Sequence, residues 1–173
     1  MNSDLVSMIG NVSRSLYSVE SLIAGLGYLI GIFFVIIALS KLKHHTHSSS
    51  QEGMFEPIAY FFGGAALIFL PSMLRTLSNT VFGSGNVLQY IQYNPYSIYN
   101  SMGMVIQTAG VIWFVRGCVL LVHGSAPGAQ HGTKGLAFIV AGIFATNFEY
   151  SVGIVNYCMN HLMLLTGMGQ PGA

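Results

Sequence analysis

The sequence predicts an all-α membrane protein. Four transmembrane helices are expected as two tandem helical hairpins, preceded by an N-terminal amphipathic helix lying in the lipid interface. Composition is the first reason. Of 173 residues, 53% are hydrophobic and 6% charged, against about 25% charged in a typical soluble domain. Six basic and five acidic residues cannot coat a soluble core of this size. The second reason is four apolar segments near the roughly 20 residues a helix needs to cross a bilayer. The third is that these segments recur as pairs.

The chain begins MNSDLVSMIG, with an acid and no early Lys or Arg, so the N-terminus is expected to be retained. Within residues 1–20, Leu5, Met8, Ile9, Val12, Leu16 and Val19 recur at three- and four-residue steps, with Ser, Asn and Arg14 between them. This is the spacing of an amphipathic helix. Directly before a span it is expected in the lipid interface, with packing against a partner subunit as the alternative.

The first hairpin covers residues 21–75, with spans Ser21–Leu42 and Pro57–Leu74 joined by KLKHHTHSSSQ. Pro57 suits a first helical turn, whereas Pro71 is expected to kink or stop its span. The outward connection, residues 76–101, has Tyr90, Tyr93, Tyr96 and Tyr99 at every third position, suited to headgroup level or a stacked interface. Its FGSGN lacks the following lysine of a phosphate-binding loop. The second hairpin and tail occupy residues 102–173, with spans Met102–Val122 and Gly135–Leu165. Asn147, Glu149, Asn156 and Asn160 interrupt the last one. It is either one long helix leaving the membrane near Tyr150 or a helix followed by an interfacial segment reaching His161.

IGIFFVIIALSK resembles GVIWFVRGCVLL, aligning Phe34 and Val35 with Phe114 and Val115. After the loops, AYFFGGAALIF parallels AFIVAGIFATN, aligning Gly64 with Gly142. The order of the matches marks an internal repeat. Lys41, Lys43 and Lys134 flank the two hairpin loops, with Arg14 and Arg75 on the other side. The positive-inside rule then places both loops in the cytoplasm and both termini outside.

Small residues line each span. Ala24, Gly31 and Ala38 recur every seven residues, as do Gly103, Gly110, Gly117 and Gly124; Gly27 with Gly31 makes a GxxxG. Gly63 and Gly64 are adjacent in the second span, and Ala137, Ala141 and Ala145 step by four beside Gly142. Such faces let helix backbones approach closely. Their number favours a homo-oligomer, with packing inside one chain as the plainer reading. Arg75, Arg116 and Glu149 are the charges assigned to the membrane or its boundary, Arg75 directly after its span and the other two within theirs. Arg116 is close enough to the cytoplasmic end to snorkel. Glu149, in register with Gly135 and Gly142, is expected to face a helix and pair with Arg75, either to fix register or to line a pore.

No catalytic, cofactor or metal site is assigned. The five acids are scattered and no HExxH or GxSxG occurs. His44, His45 and His47 sit in a serine-rich turn, and even with His123 and His131 across from them they make a poorly preorganised metal cage. Cys118 and Cys158 lie in apolar segments and read as small buried side chains. A net charge of +1 provides no field for direct nucleic-acid binding.

SLYSVESLIAGLGYLIGIFFVIIALSKLK, EPIAYFFGGAALIFLPSML, NTVFGSGNVLQY, FVRGCVLLVHGS and GTKGLAFIVAGIFATNF together resemble the IcmC/DotE family of Dot/Icm type IVB secretion systems, which has relatives in plasmid conjugation systems. The resemblance runs in order along nearly the whole chain. It implies a multi-pass protein of the bacterial inner membrane, in a machine that moves protein effectors, or DNA with its relaxase, across the envelope. By the same analogy each hairpin is similar to a conjugative pilin subunit. The implied partners are the lipid bilayer, further copies of the chain and other envelope proteins of the machine, with transport energy coming from separate ATPases. A stand-alone small channel or transporter subunit, or a scaffold without a pore, remains the alternative.

Overall fold

The computed structural model describes residues 2–47, 54–83, 98–126, 128 and 132–165. The described residues form six helices and no strand: α1 (Asn2–His47), α2 (Phe55–Ile68), α3 (Leu70–Phe82), α4 (Ile98–His123), α5 (Gly132–Thr146) and α6 (Phe148–Leu165). Two of them, α1 over Ser18–His44 and α4 over Ser101–His123, are each long and apolar enough to cross a membrane. The number rises to four if the bent pairs α2–α3 and α5–α6 each count as one span.

The N-terminal segment is not a separate helix. No proline interrupts residues 2–47, so the two adjoining helical patterns fuse into the single 46-residue α1. Its outward face has Leu22, Leu26, Leu29, Phe33 and Ile36, all exposed, at alternating four- and three-residue steps. Its inward face has Glu20, Gly27, Gly31, Phe34 and Ala38, all buried.

Glycine sets how closely the helices pair. A Cβ added at Gly31 would stand 2.7 Å from the Gly64 carbonyl oxygen, and one at Gly64 would stand 2.8 Å from that of Gly31. With Lys41 bonded to Glu56 and Gly27 beside Leu67 and Leu70, α1 and α2 are antiparallel. The second pair repeats this. Gly110 meets Gly142 and Thr146, and Gly117 meets Gly135 and Ile139, so α4 and α5 are antiparallel too. Across the pairs, Thr108 reaches Glu20 and His123 meets the Phe34 ring edge-on at 6.1 Å. Helix α4 therefore runs parallel to α1, and the C-terminal ends of both lie at one end of the bundle. Phe34, Leu67, Leu70, Leu74, Phe114, Cys118 and Val122 form the shared core.

Both second helices break. Helix α2 ends at Ile68 and α3 leaves it at 96°; α5 ends at Thr146 and α6 leaves it at 97°. The first break has the expected cause, since Pro71 sits at the start of α3 and has no N–H for the helical bond to Leu67. The second has no proline. There Asn147 Nδ2 and Thr146 Oγ1 each donate to the Ile143 carbonyl at 2.9 Å, and Ser151 Oγ donates to that of Phe144 at 2.7 Å. Side chains thus satisfy the last carbonyls of α5 and let the chain turn. Of the two forms expected for the last segment, the long straight helix is excluded. The breaks also fall at equivalent places in the repeat, because Phe69 and Asn147 follow the aligned Gly64 and Gly142 at the same interval.

The connection after α3 is shorter than expected, since α3 continues to Phe82 and α4 begins at Ile98. Gly83 ends α3 in the left-handed conformation, φ 72°, its N–H bonded to Asn79 at 2.9 Å. The first glycine of FGSGN is therefore a helix cap. Tyr90, Tyr93 and Tyr96 lie outside the described residues.

Candidate functional site: a buried polar layer at the helix breaks

Polar side chains are scarce inside this bundle, and the buried ones gather near the breaks. Glu20 is only 9% exposed, and Thr108, Thr146 and Asn147 are 5% exposed or less. Glu20 lies on the inward face of α1, in register with Gly27, Gly31, Phe34 and Ala38. Its Oε1 is 3.5 Å from Thr108 Oγ1, which also donates to the Met104 carbonyl at 2.9 Å. One hydroxyl proton serves the shorter bond, so the contact with Glu20 is the weaker of the two. Two residues along α4, Gly110 lies against the Thr146 backbone nitrogen, which brings Thr146 and Asn147 to the same level. Ser78 on α3 and Ser101 on α4 are fully buried, and their hydroxyls have no hydrogen-bond partner. A carboxyl group, four hydroxyl-bearing threonine or serine positions and a side-chain amide thus occupy an otherwise apolar bundle, where polar groups are costly.

Glu20 was not among the candidates read from the sequence. The available signal was its place in the seven-, four-, three- and four-residue steps that lead to Gly27, Gly31, Phe34 and Ala38.

The expected charge pair does not form. Arg75 and Glu149 are both exposed, and no ion pair joins them. The break at Asn147 removes Glu149 from the register of Gly135 and Gly142 and places it in the first turn of α6, where the helix dipole favours an acid. Arg116 is exposed with its guanidinium over the Phe138 ring, 5.0 Å from the centroid. At the turn end, Lys41 Nζ bonds Glu56 Oε1 at 2.9 Å and lies over the Tyr60 ring at 5.6 Å. Lys43 and Lys134 are exposed.

Most of the glycines proposed for oligomerisation are consumed inside the chain. Gly27, Gly31, Gly64, Gly110, Gly117 and Gly142 pack helix on helix, Gly63 lies against Val122, and Ala145 against Gly110. Gly103 has nothing within 4 Å of where a Cβ would stand. Ala137 is exposed and Ala141 half-buried.

The histidine loop is helical as far as His47, where α1 ends; residues 48–53 and His131 lie outside the described residues. His123 Nδ1 is 2.8 Å from the Val119 carbonyl oxygen of its own helix. Among the described residues no three His, Cys, Asp or Glu side chains are placed to hold a metal. Cys118 is buried, but Cys158 is exposed on α6, contrary to the expectation for both.

Comparison with protein-family models, with curated proteins and with solved structures finds no match for the chain.

Proposed function

We propose that the chain is a structural, channel-forming component of a bacterial type IVB secretion or conjugation machine. It resides in the inner membrane, with both helix turns in the cytoplasm and both termini in the periplasm, and spans the bilayer as four helices in two pilin-like hairpins. Several copies assemble with other envelope proteins to help move protein effectors or DNA. The observation supporting this reading is the continuous exposed apolar face of α1, Leu22 to Ile36, on a bundle in which most of the helix-packing glycines already have a partner within the chain. Lipid and neighbouring membrane helices are the surfaces such a face suits. The order of resembling segments along the chain adds to it.

A second reading, a stand-alone channel or transporter subunit, is favoured by the buried Glu20 and Thr108 beside two broken helices, a combination that secondary transporters use for ion and substrate sites. Purification of the tagged chain from its native membrane in mild detergent separates the two. A multimer that brings other envelope proteins with it, and whose loss abolishes secretion, supports the machine component. An isolated monomer that gives substrate-dependent flux in vesicles supports the transporter and defeats the first reading.

A further inference from the structure

The two broken pairs share a geometry that follows from their lengths. Helix α2, with 14 residues, and α5, with 15, are about 21 and 22 Å long at the helical rise. A bilayer's hydrocarbon core is about 30 Å thick. Neither helix crosses it alone. The apolar stretches of α1 and α4, 27 and 23 residues, extend about 40 and 35 Å. Each break lies at the same place along its own rod, Leu70 beside Gly27 and Thr146 beside Gly110; the contacts of Glu20 with Thr108 and of Phe34 with His123 set the second break about five residues, or roughly 7 Å, nearer the N-terminal side of α1. Each glycine is nine residues inside the N-terminal end of its stretch, Ser18 or Ser101, or about 13 Å.

From these two breaks α3 and α6 leave at right angles to the helices before them, so they lie across the bundle. They meet where Phe82 approaches Tyr150 at 6.2 Å between ring centroids. Helix α3 is amphipathic, and α6 combines polar and apolar side chains. On α3, Leu70, Leu74 and Ser78 are buried in the core, while Arg75, Thr76 and Asn79 are exposed on the far side. On α6, Glu149, Asn156 and Asn160 fall on one stripe at seven- and four-residue spacing, flanked by exposed Val155, Leu162 and Leu165. No residue of α6 is buried in the chain.

We propose that α3 and α6 form one amphipathic layer seated in the lipid headgroup region on the N-terminal side of α1, where it holds the bilayer locally thin. The inference rests on the membrane reading of α1 and α4. The occupant of the exposed apolar faces is the acyl–headgroup boundary of that leaflet. Exposed apolar side chains occur there, among them Val155, Leu162 and Leu165, as they do on α1 and α4, among them Leu22, Leu29 and Val105, while the polar side chains, with the charges Arg75 and Glu149, require water or headgroups at the same depth. Tyr150, at the junction of the two helices, suits that boundary. A bilayer met in this way is thinned locally by the distance from the layer to the ends of the long apolar stretches.

The test uses the full chain with Cys158→Ser, in phosphatidylcholine vesicles frozen and thawed with a membrane-impermeant maleimide, so that both faces are exposed to reagent. Single cysteines replace Asn79, Asn156, Leu22, Leu29 or Phe33, all exposed. Labelling of N79C, N156C and L22C at least about tenfold faster than that of L29C and F33C is expected, because the first three stand at or above the thinned boundary. Protection of N79C and N156C equal to that of L29C overturns the layer while leaving the membrane reading intact. Protection of L22C alone overturns the thinning. Rapid labelling of L29C and F33C defeats the membrane reading and the layer with it. Efficient disulfide linkage of V155C between chains assigns α6 to a second copy and overturns the lipid occupant.

Discussion

Replacing Gly142 with alanine tests whether the close approach of α4 and α5 holds the second pair together. The new Cβ would stand 2.8 Å from the Gly110 carbonyl oxygen, 2.8 Å from the Phe114 nitrogen and 3.0 Å from its Cα. All three are backbone atoms, so no side-chain rotation relieves the clash and the helices must separate. Overpacking costs about 1–3 kcal/mol, and a backbone-on-backbone contact belongs near the top, about 3. Alanine returns about 1 kcal/mol of helix propensity, which leaves a net loss of about 2 kcal/mol, or roughly thirtyfold in the folded ratio. In a chain of this size that lowers the melting temperature by about 4–8 °C. Gly103 provides the control, since its Cβ position is open; the same substitution there should be neutral or gain up to about 1 kcal/mol. Thermal unfolding followed by circular dichroism in dodecyl maltoside measures both. Equal shifts for G142A and G103A would refute the reasoning, because the contact with Gly110 would then bear no weight.

Thr108→Val keeps the shape of the side chain but removes the hydroxyl near Glu20. The same assay should show a loss of about 1–3 kcal/mol, partly recovered when Glu20→Leu is added, since the double variant leaves no buried carboxyl group without its hydroxyl neighbour. Arg116→Met and Phe138→Leu form a double-mutant cycle on the cation–π contact. A coupling of about 0.5–1 kcal/mol is expected at this exposed site, and purely additive effects would mean the stacking contributes nothing.

The helical class, the four apolar segments and their pairing were legible in the sequence because periodicity and segment length report them directly. The first break was legible as well, since Pro71 lacks a donor wherever it is placed. The second was not: Thr146, Asn147 and Ser151 end α5 through hydrogen bonds that composition does not announce. That omission produced the error at Glu149, whose assignment to a helix-facing stripe assumed a straight helix through Asn147. Several of the small residues singled out meet another helix, but a sequence does not tell a partner within the chain from one outside it, and Gly31, Gly110 and Gly117 have theirs within. Glu20 was overlooked because an acid between amphipathic and apolar stretches looks solvated until the two are known to be one helix.

That continuity of α1 has a mechanical side. The helix is about 69 Å long at 1.5 Å per residue, and it is gripped where Gly27 and Gly31 press against α2. From Glu20, where it also meets Thr108 of α4, to Asn2 it extends about 27 Å as unbroken helix, so rocking it by about 5° there sweeps its tip through about 2 Å. The helices α2 and α5 cannot act this way, because each turns aside at its break. Among the described helices, α1 and α4 are the rods that connect one face of the bundle to the other. A force applied near the N-terminus is delivered, with leverage, to the point where α1 meets the polar layer.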